Sequence, residues 1–204
     1  MGTKRILVLG DSVAAAADGL VTILRPRLKD RIQVINAAIP GCTIYQERHY
    51  LERDLLRLEP DLVVLQYCTN DNHKFLHRCD SEGQFLITEE ARRALVPDQR
   101  GALSWLPKNS YLAFRLWFAL LTWRREQESG YPWDTLPDLA TAWRGESWEE
   151  YSRHVFAMHE ILRAVGSHPV LVVAPLAAQF DPGMLRHDAR YVLKPQSKLA
   201  ALCR

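Results

Sequence analysis

The sequence is poor in the features that mark several protein classes. Its four cysteines (Cys42, Cys68, Cys79 and Cys203) show no Cys-x-x-Cys spacing. A disulfide framework is therefore not expected, and the thiols read as reduced. No His/Asp pair has convincing metal-ligand spacing, so no metal site is expected. Lys and Arg (26) nearly balance Asp and Glu (24), for a formal charge of +2. With no basic stripe interleaved with aromatics, nucleic acid is not an expected partner. Neither Gly-x-Gly-x-x-Gly nor a Walker loop follows the first strand, which ranks a nucleotide-binding α/β domain low. The first strand begins almost at Met1, which leaves no room for a signal peptide and points to a cytoplasmic product. Repeats and low-complexity tracts are absent. A chain of 204 residues suffices for one well-buried domain and is short for two, so a single domain over 1–204 is expected.

What is present begins with Ile6-Leu7-Val8-Leu9-Gly10-Asp11-Ser12. The unbroken apolar run ending at glycine reads as a buried parallel strand. A serine then sits where the strand must turn. Its plainest job is to cap a helix. The same turn, however, exposes a hydroxyl at the C-terminal edge of the sheet, where open α/β sheets bind ligands. Two further segments follow strands in the same way. Asn36-Ala37-Ala38-Ile39-Pro40-Gly41 follows the strand at 32–35, and Cys68-Thr69-Asn70-Asp71 follows the strand at 62–65.

Together the three segments resemble the blocks of the SGNH hydrolases, the GDSL-like esterase and lipase superfamily. Gly10-Asp11-Ser12 matches the first block, Gly41 in Asn36-x4-Gly41 the second, and Asn70-Asp71 the third. The resemblance implies a serine ester hydrolase that cleaves acyl or acetyl esters through an acyl-serine intermediate, with no cofactor. Ser12 would be the nucleophile. The backbone N–H groups of Ser12 and Gly41 and the side-chain amide of Asn70 would form the oxyanion hole. Asp11, Asn36 and Asp71 would support the loops through side-chain-to-backbone bonds. Where the family usually has glycine this chain has Cys68, which either narrows the acyl pocket or points into the core.

The fourth block, Asp-x-x-His, is not found. His187, beside Asp188 in a late loop, and His73, after the third block, are the candidate bases. The sequence stops at Arg204 inside what reads as the helix leading to the strand before that block. It is therefore expected to continue, and the given chain to be weak or inactive. The other reading is a non-catalytic binding protein or pseudoenzyme on the same fold. The expected ligand is a small-molecule ester, with acylated carbohydrates and lipids as the classes considered.

Strands alternating with helices imply an α/β fold, a doubly wound parallel sheet of flavodoxin-like order. Residues 44–58 read as a charged, exposed helix with Leu51, Leu55 and Leu58 inward. An aromatic-rich helical insertion is expected at about 73–146, carrying Trp105, Trp117, Trp123, Trp133 and Trp143, with Trp148 just past it. Its centre, 111–123, falls short of the ~20 residues that span a bilayer and carries Arg115. It reads as a helix packed in a core, with a lid or a lipid-facing helix as the alternatives. Ser147 and Glu150 suggest a capping box for the helix at 147–165. The run at 170–174 reads as a buried strand whose outer edge, left uncovered, could pair with a second chain. Residues 180–187 read as a loop, before a last helix from near Pro195.

Overall fold

A computed structural model describes residues 3–28, 32–72, 78–79, 85–86, 110–129, 131, 133 and 137–203. The chain divides into two compact units: Met1–Asn72 with Thr141–Arg204, and His73–Ala140.

In the first unit β1 (Lys4–Leu9) leads into a single turn, α1 (Ser12–Ala15), then α2 (Leu20–Leu28) and β2 (Ile32–Asn36). Next come α3 (Ile44–Tyr50) and β3 (Leu62–Tyr67). Between them the helix widens to a π turn at Leu51–Leu55 and tightens to a 3₁₀ turn at Leu56–Leu58. A 3₁₀ turn, Thr69–Asn72, closes this half. The second unit holds a short antiparallel pair, β4 (Arg78–Cys79) and β5 (Phe85–Leu86), with α4 (Tyr111–Ser129) and α5 (Pro137–Ala140). The first unit resumes with a 3₁₀ turn at Thr141–Trp143, α6 (Glu146–Ala164), β6 (His168–Val173), α7 (Pro182–Val192) and α8 (Lys194–Leu202).

The four strands of the first unit are all parallel, in the order β2-β1-β3-β6. Alternation along β1 sets the two layers, because successive side chains leave a strand on opposite faces. Leu7 and Leu9 join a core with Leu51, Leu65, Tyr151 and Leu162, on the side of α3, α6 and α8. Val8 joins Ala14, Val21, Val34 and Val64 on the side of α1 and α2. The sheet is thus doubly wound, as the strand–helix alternation implies.

Several local expectations need correction. The run at 170–174 belongs to β6, but none of the six residues of that strand is fully buried, and Val170 is 42% exposed. Among the described residues β6 ends the sheet and has a neighbour only in β3. Residues 182–187, expected as part of a loop, instead open a helix that runs to Val192. Asp181 caps it, accepting from Gly183 N–H (2.7 Å) and Met184 N–H (2.9 Å), and Pro182 occupies the first turn. The N-cap of α6 is Gly145; Ser147 Oγ instead donates to the carbonyl oxygens of Thr141 and Arg144. Trp143 and Trp148 belong to the first unit, where both are buried and their indole N–H groups donate to Tyr191 O and Ala142 O. On α4, Leu112, Leu116, Leu120 and Trp123 form an exposed row, so that face is not a packed one. No described helix is long and apolar enough to cross a membrane. Trp105 lies outside the described residues.

The open edge of β6 carries an expected result. An unpaired parallel strand with apolar side chains is a template for pairing. Light scattering should show the mass of the purified chain rising with concentration, and Val170→Lys should suppress the rise. A monomer at every concentration would show that the edge is not used.

Candidate active site

The three loops that follow β1, β2 and β3 meet at the C-terminal edge of the sheet, because parallel strands deliver all their outgoing loops to one side. Gly10 leaves β1 at φ +154°, pressed against Ala14 and Gln66. Asp11 follows, almost fully buried, and caps α1 by accepting from Val13 N–H at 2.9 Å. Ser12, the first residue of α1, is exposed. It borders an open cavity of about 560 Å³ whose wall includes Val13, Leu20, Ile23, Val172 and Val173. Among the described residues no side chain hydrogen-bonds Ser12 Oγ.

The second loop is tied to the first by backbone. Ala37 N–H donates to Val8 O (2.9 Å) and Ile39 N–H to Gly10 O (3.0 Å). Asn36 Oδ1 accepts from Ala38 N–H at 3.1 Å, a local side-chain turn. Gly41 sits at φ +79°, a conformation that glycine adopts at little cost, and is exposed. Thr43 N–H then donates to Gln46 Oε1 (2.8 Å) at the start of α3.

The third loop is tied to the first by a side-chain bond. Asn70 Nδ2 donates to Asp11 Oδ2 at 2.9 Å. A primary amide has two N–H groups, so this bond fixes the amide and leaves one N–H for another acceptor. Asp71 Oδ2 accepts from Cys68 N–H (2.7 Å), and Asp71 N–H donates to Cys68 O (3.0 Å), which closes the turn. Tyr67 Oη donates to Asn72 Oδ1 at 2.7 Å. Cys68 is buried, and its thiol is pushed up to about 12, first by burial and then by Asp11 and Asp71. It is a protonated thiol packed inside rather than a nucleophile.

Beneath the loops lies a group that the sequence did not single out. Glu47 of α3 is buried beside the third loop, and burial followed by the charge of Asp11 pushes its carboxyl up to about 8. Asp71 is also held well above the usual carboxylate range, first by burial and then by Glu47. The signal was available. Glu47 stands four residues before Leu51, on the inward face of its helix.

The histidines are scattered. His187 lies on α7 and is exposed. His168 opens β6 opposite Leu62, at the edge of the sheet away from Ser12. His154 is buried between α3 and α6, edge-on to Tyr45 and beside Arg48, and burial lowers its pKa. His73 and His77 lie outside the described residues.

No family model matches the sequence, and no curated protein matches it. Solved structures do. TesA superposes with a TM-score of 0.50 at 18% identity, over 98% of this chain and 72% of TesA. The fold is that of the SGNH hydrolases. Other similar structures are an acetylxylan esterase, Axe2 from Geobacillus stearothermophilus (a catalytic mutant; 14% identity, 99% of this chain and 73% of that one, TM-score 0.48), and a putative acylhydrolase from Bacteroides fragilis (15%, 97% and 62%, TM-score 0.47). The chain thus spans less than two thirds of the Bacteroides protein. On this fold Ser12, Gly41 and Asn70 lie in the segments that follow β1, β2 and β3.

Proposed function

We propose that the chain carries the nucleophile half of an SGNH-type serine ester hydrolase. The observation that carries this reading is the pairing of Asp11 with Asn70. One buried carboxylate caps the helix turn that exposes Ser12 and also orients the amide of the third loop. A serine and a neutral amide donor are thereby fixed to one another's loops. Acyl transfer needs that arrangement, with the nucleophile on one side of the carbonyl carbon and N–H donors facing its oxygen. Ser12 Oγ attacks an ester carbonyl, and the N–H groups of Ser12 and Gly41 and the amide of Asn70 receive the oxyanion. The tetrahedral adduct collapses with loss of the alcohol, which carries away the serine proton, to leave acyl-Ser12, and water then cleaves that ester to release the acid and restore Ser12. The apolar wall of Val13, Leu20, Ile23, Val172 and Val173 suits the acyl part of a small ester.

A second reading, ligand binding without turnover, is favoured by one observation. Among the described residues no base reaches Ser12 Oγ, and a serine hydroxyl without a base is a weak nucleophile. Hydrolysis of 4-nitrophenyl acetate by the chain and by Ser12→Ala separates the two readings. We expect slow, Ser12-dependent turnover, ~10³–10⁴-fold over water, the residue of catalysis that serine hydrolases keep when one triad member is missing. A fluorophosphonate should add to Ser12, read as a mass shift that Ser12→Ala abolishes. Equal rates for both proteins and no adduct would leave the binding reading. Full turnover, lost in His187→Ala or His73→Ala, would identify the base.

A further inference from the structure

Two buried carboxyls near the third loop keep oxygens without a donor among the described residues. Glu47 is 2% exposed, and neither of its oxygens has a hydrogen-bond partner there. Asp71, equally buried, uses Oδ2 to accept from Cys68 N–H, and its Oδ1 has no donor among the described residues. Asp11, the third acid, has both oxygens engaged by N–H groups. The groups that face the pair come from four elements: Asp11 from the turn after β1, Cys68 and Tyr67 from β3 and its loop, Tyr151 from α6, and Cys203, after α8, which acts on Tyr151. Among the described residues no lysine, arginine or histidine acts on either carboxyl.

An ionised carboxylate buried without a donor is costly, and two of them side by side are costlier. A proton removes both costs, because a carboxylic acid O–H can donate where a carboxylate can only accept. Helix α3, which carries Glu47, and the turn that carries Asp71 both pack on α6, and each carboxyl keeps a buried oxygen without a partner among the described residues. We propose that Glu47 and Asp71 hold a shared proton at neutral pH and act as one positioning unit that fixes the turn presenting Asn70. Asp71 is the working end, since it closes the Cys68–Asp71 turn through the backbone at both bonds. Glu47 acts through Asp71. This role in catalysis rests on the reading of Ser12 and Asn70 above; the shared proton does not.

The sign of the pH dependence follows from the burial. A carboxyl whose folded pKa lies above its unfolded value contributes stability at low pH and loses it as pH rises. For Glu47 that window runs from the ordinary carboxyl value of 4.5 to about 8. The thermal midpoint of the chain should fall across that window, and the slope should ease above about 8, where the first proton leaves. Glu47→Gln keeps an N–H donor toward Asp71 but cannot titrate, so its midpoint should lose most of that slope. Infrared spectroscopy on the wild-type chain gives a reading that needs no variant to fold. A protonated buried carboxyl should show its carbonyl stretch at neutral pH, and the band should vanish at high pH and in Glu47→Gln. Absence of the band at neutral pH, or an unchanged midpoint slope in Glu47→Gln, would overturn the shared proton.

The positioning role is read by the fluorophosphonate. The ratio of the wild-type labelling rate at Ser12 to that of Glu47→Gln should fall ~tenfold per pH unit above about 8, as one ionisation requires. A constant ratio with the infrared band present would keep the proton and remove its link to the site. No labelling of either protein would overturn the serine-hydrolase reading and the positioning role with it, while the infrared and midpoint results judge the pair independently.

Discussion

Gly10→Ala will strongly destabilise the first unit. A Cβ at position 10 would stand 2.5 Å from Ala14 Cβ and 3.2 Å from Gln66 O. Neither neighbour can swing aside, because one is the first carbon of a helix side chain and the other is strand backbone. Relief requires α1 to move away from β1. Overpacking of this kind costs about 1–3 kcal/mol, and a side chain forced into a glycine conformation adds about 1–3 kcal/mol. Against a total stability of about 5–15 kcal/mol that is a large share. The urea midpoint should drop accordingly. Two controls isolate the cause. Gly41 also has positive φ but open space where its Cβ would go, so Gly41→Ala should cost only the backbone strain. Gly145 has neither constraint, and Gly145→Ala should be close to neutral. Equal losses at Gly10 and Gly41 would mean that contact with α1 is not what requires a glycine after β1.

The same contact explains how much of the fold was legible. The apolar runs of β1, β2 and β3 are fixed by burial, and burial writes itself into composition. The loops after them were legible for a different reason: a glycine at positive φ, an Asx turn at Asn36 and a helix cap at Asp11 each need a particular residue type. What stayed hidden depends on partners distant in the chain. β6 has the composition of a buried strand, and its composition does not show that all six of its residues are at least partly exposed. Helix α7 covers most of a stretch that reads as a loop, although Asp181 followed by Pro182 is a helix start. Trp143, expected in the insertion, belongs to the first unit, whose second segment begins at Thr141. Glu47 looked like one of many charges on a solvated helix. Its spacing from Leu51 marks the inward face, but that the element covering this face is α6 is not written locally.

Asn70→Ala should bring the residual turnover of the chain close to the rate of water. The amide is held by Asp11 at 2.9 Å, so it does not have to be ordered when substrate arrives. Preorganised donors of this kind carry much of the catalysis in acyl transfer, and losing one costs ~10²–10³ in turnover, or ~2.7–4 kcal/mol. Taken from a starting enhancement of ~10³–10⁴-fold over water, the loss leaves little to measure with 4-nitrophenyl acetate, so the rate of fluorophosphonate addition to Ser12 is the better reading. Asp11→Asn separates orientation from donation. It can keep the cap on Val13 N–H through its carbonyl oxygen, but its amide group cannot accept from Asn70. If orientation matters, Asp11→Asn should lower the Ser12 labelling rate by a part of the Asn70→Ala loss while the urea midpoint moves much less than in Gly10→Ala. If Asn70→Ala and the wild type label at the same rate, the amide of Asn70 does not face the reacting carbonyl, and the bond from Asp11 serves only to join the two loops.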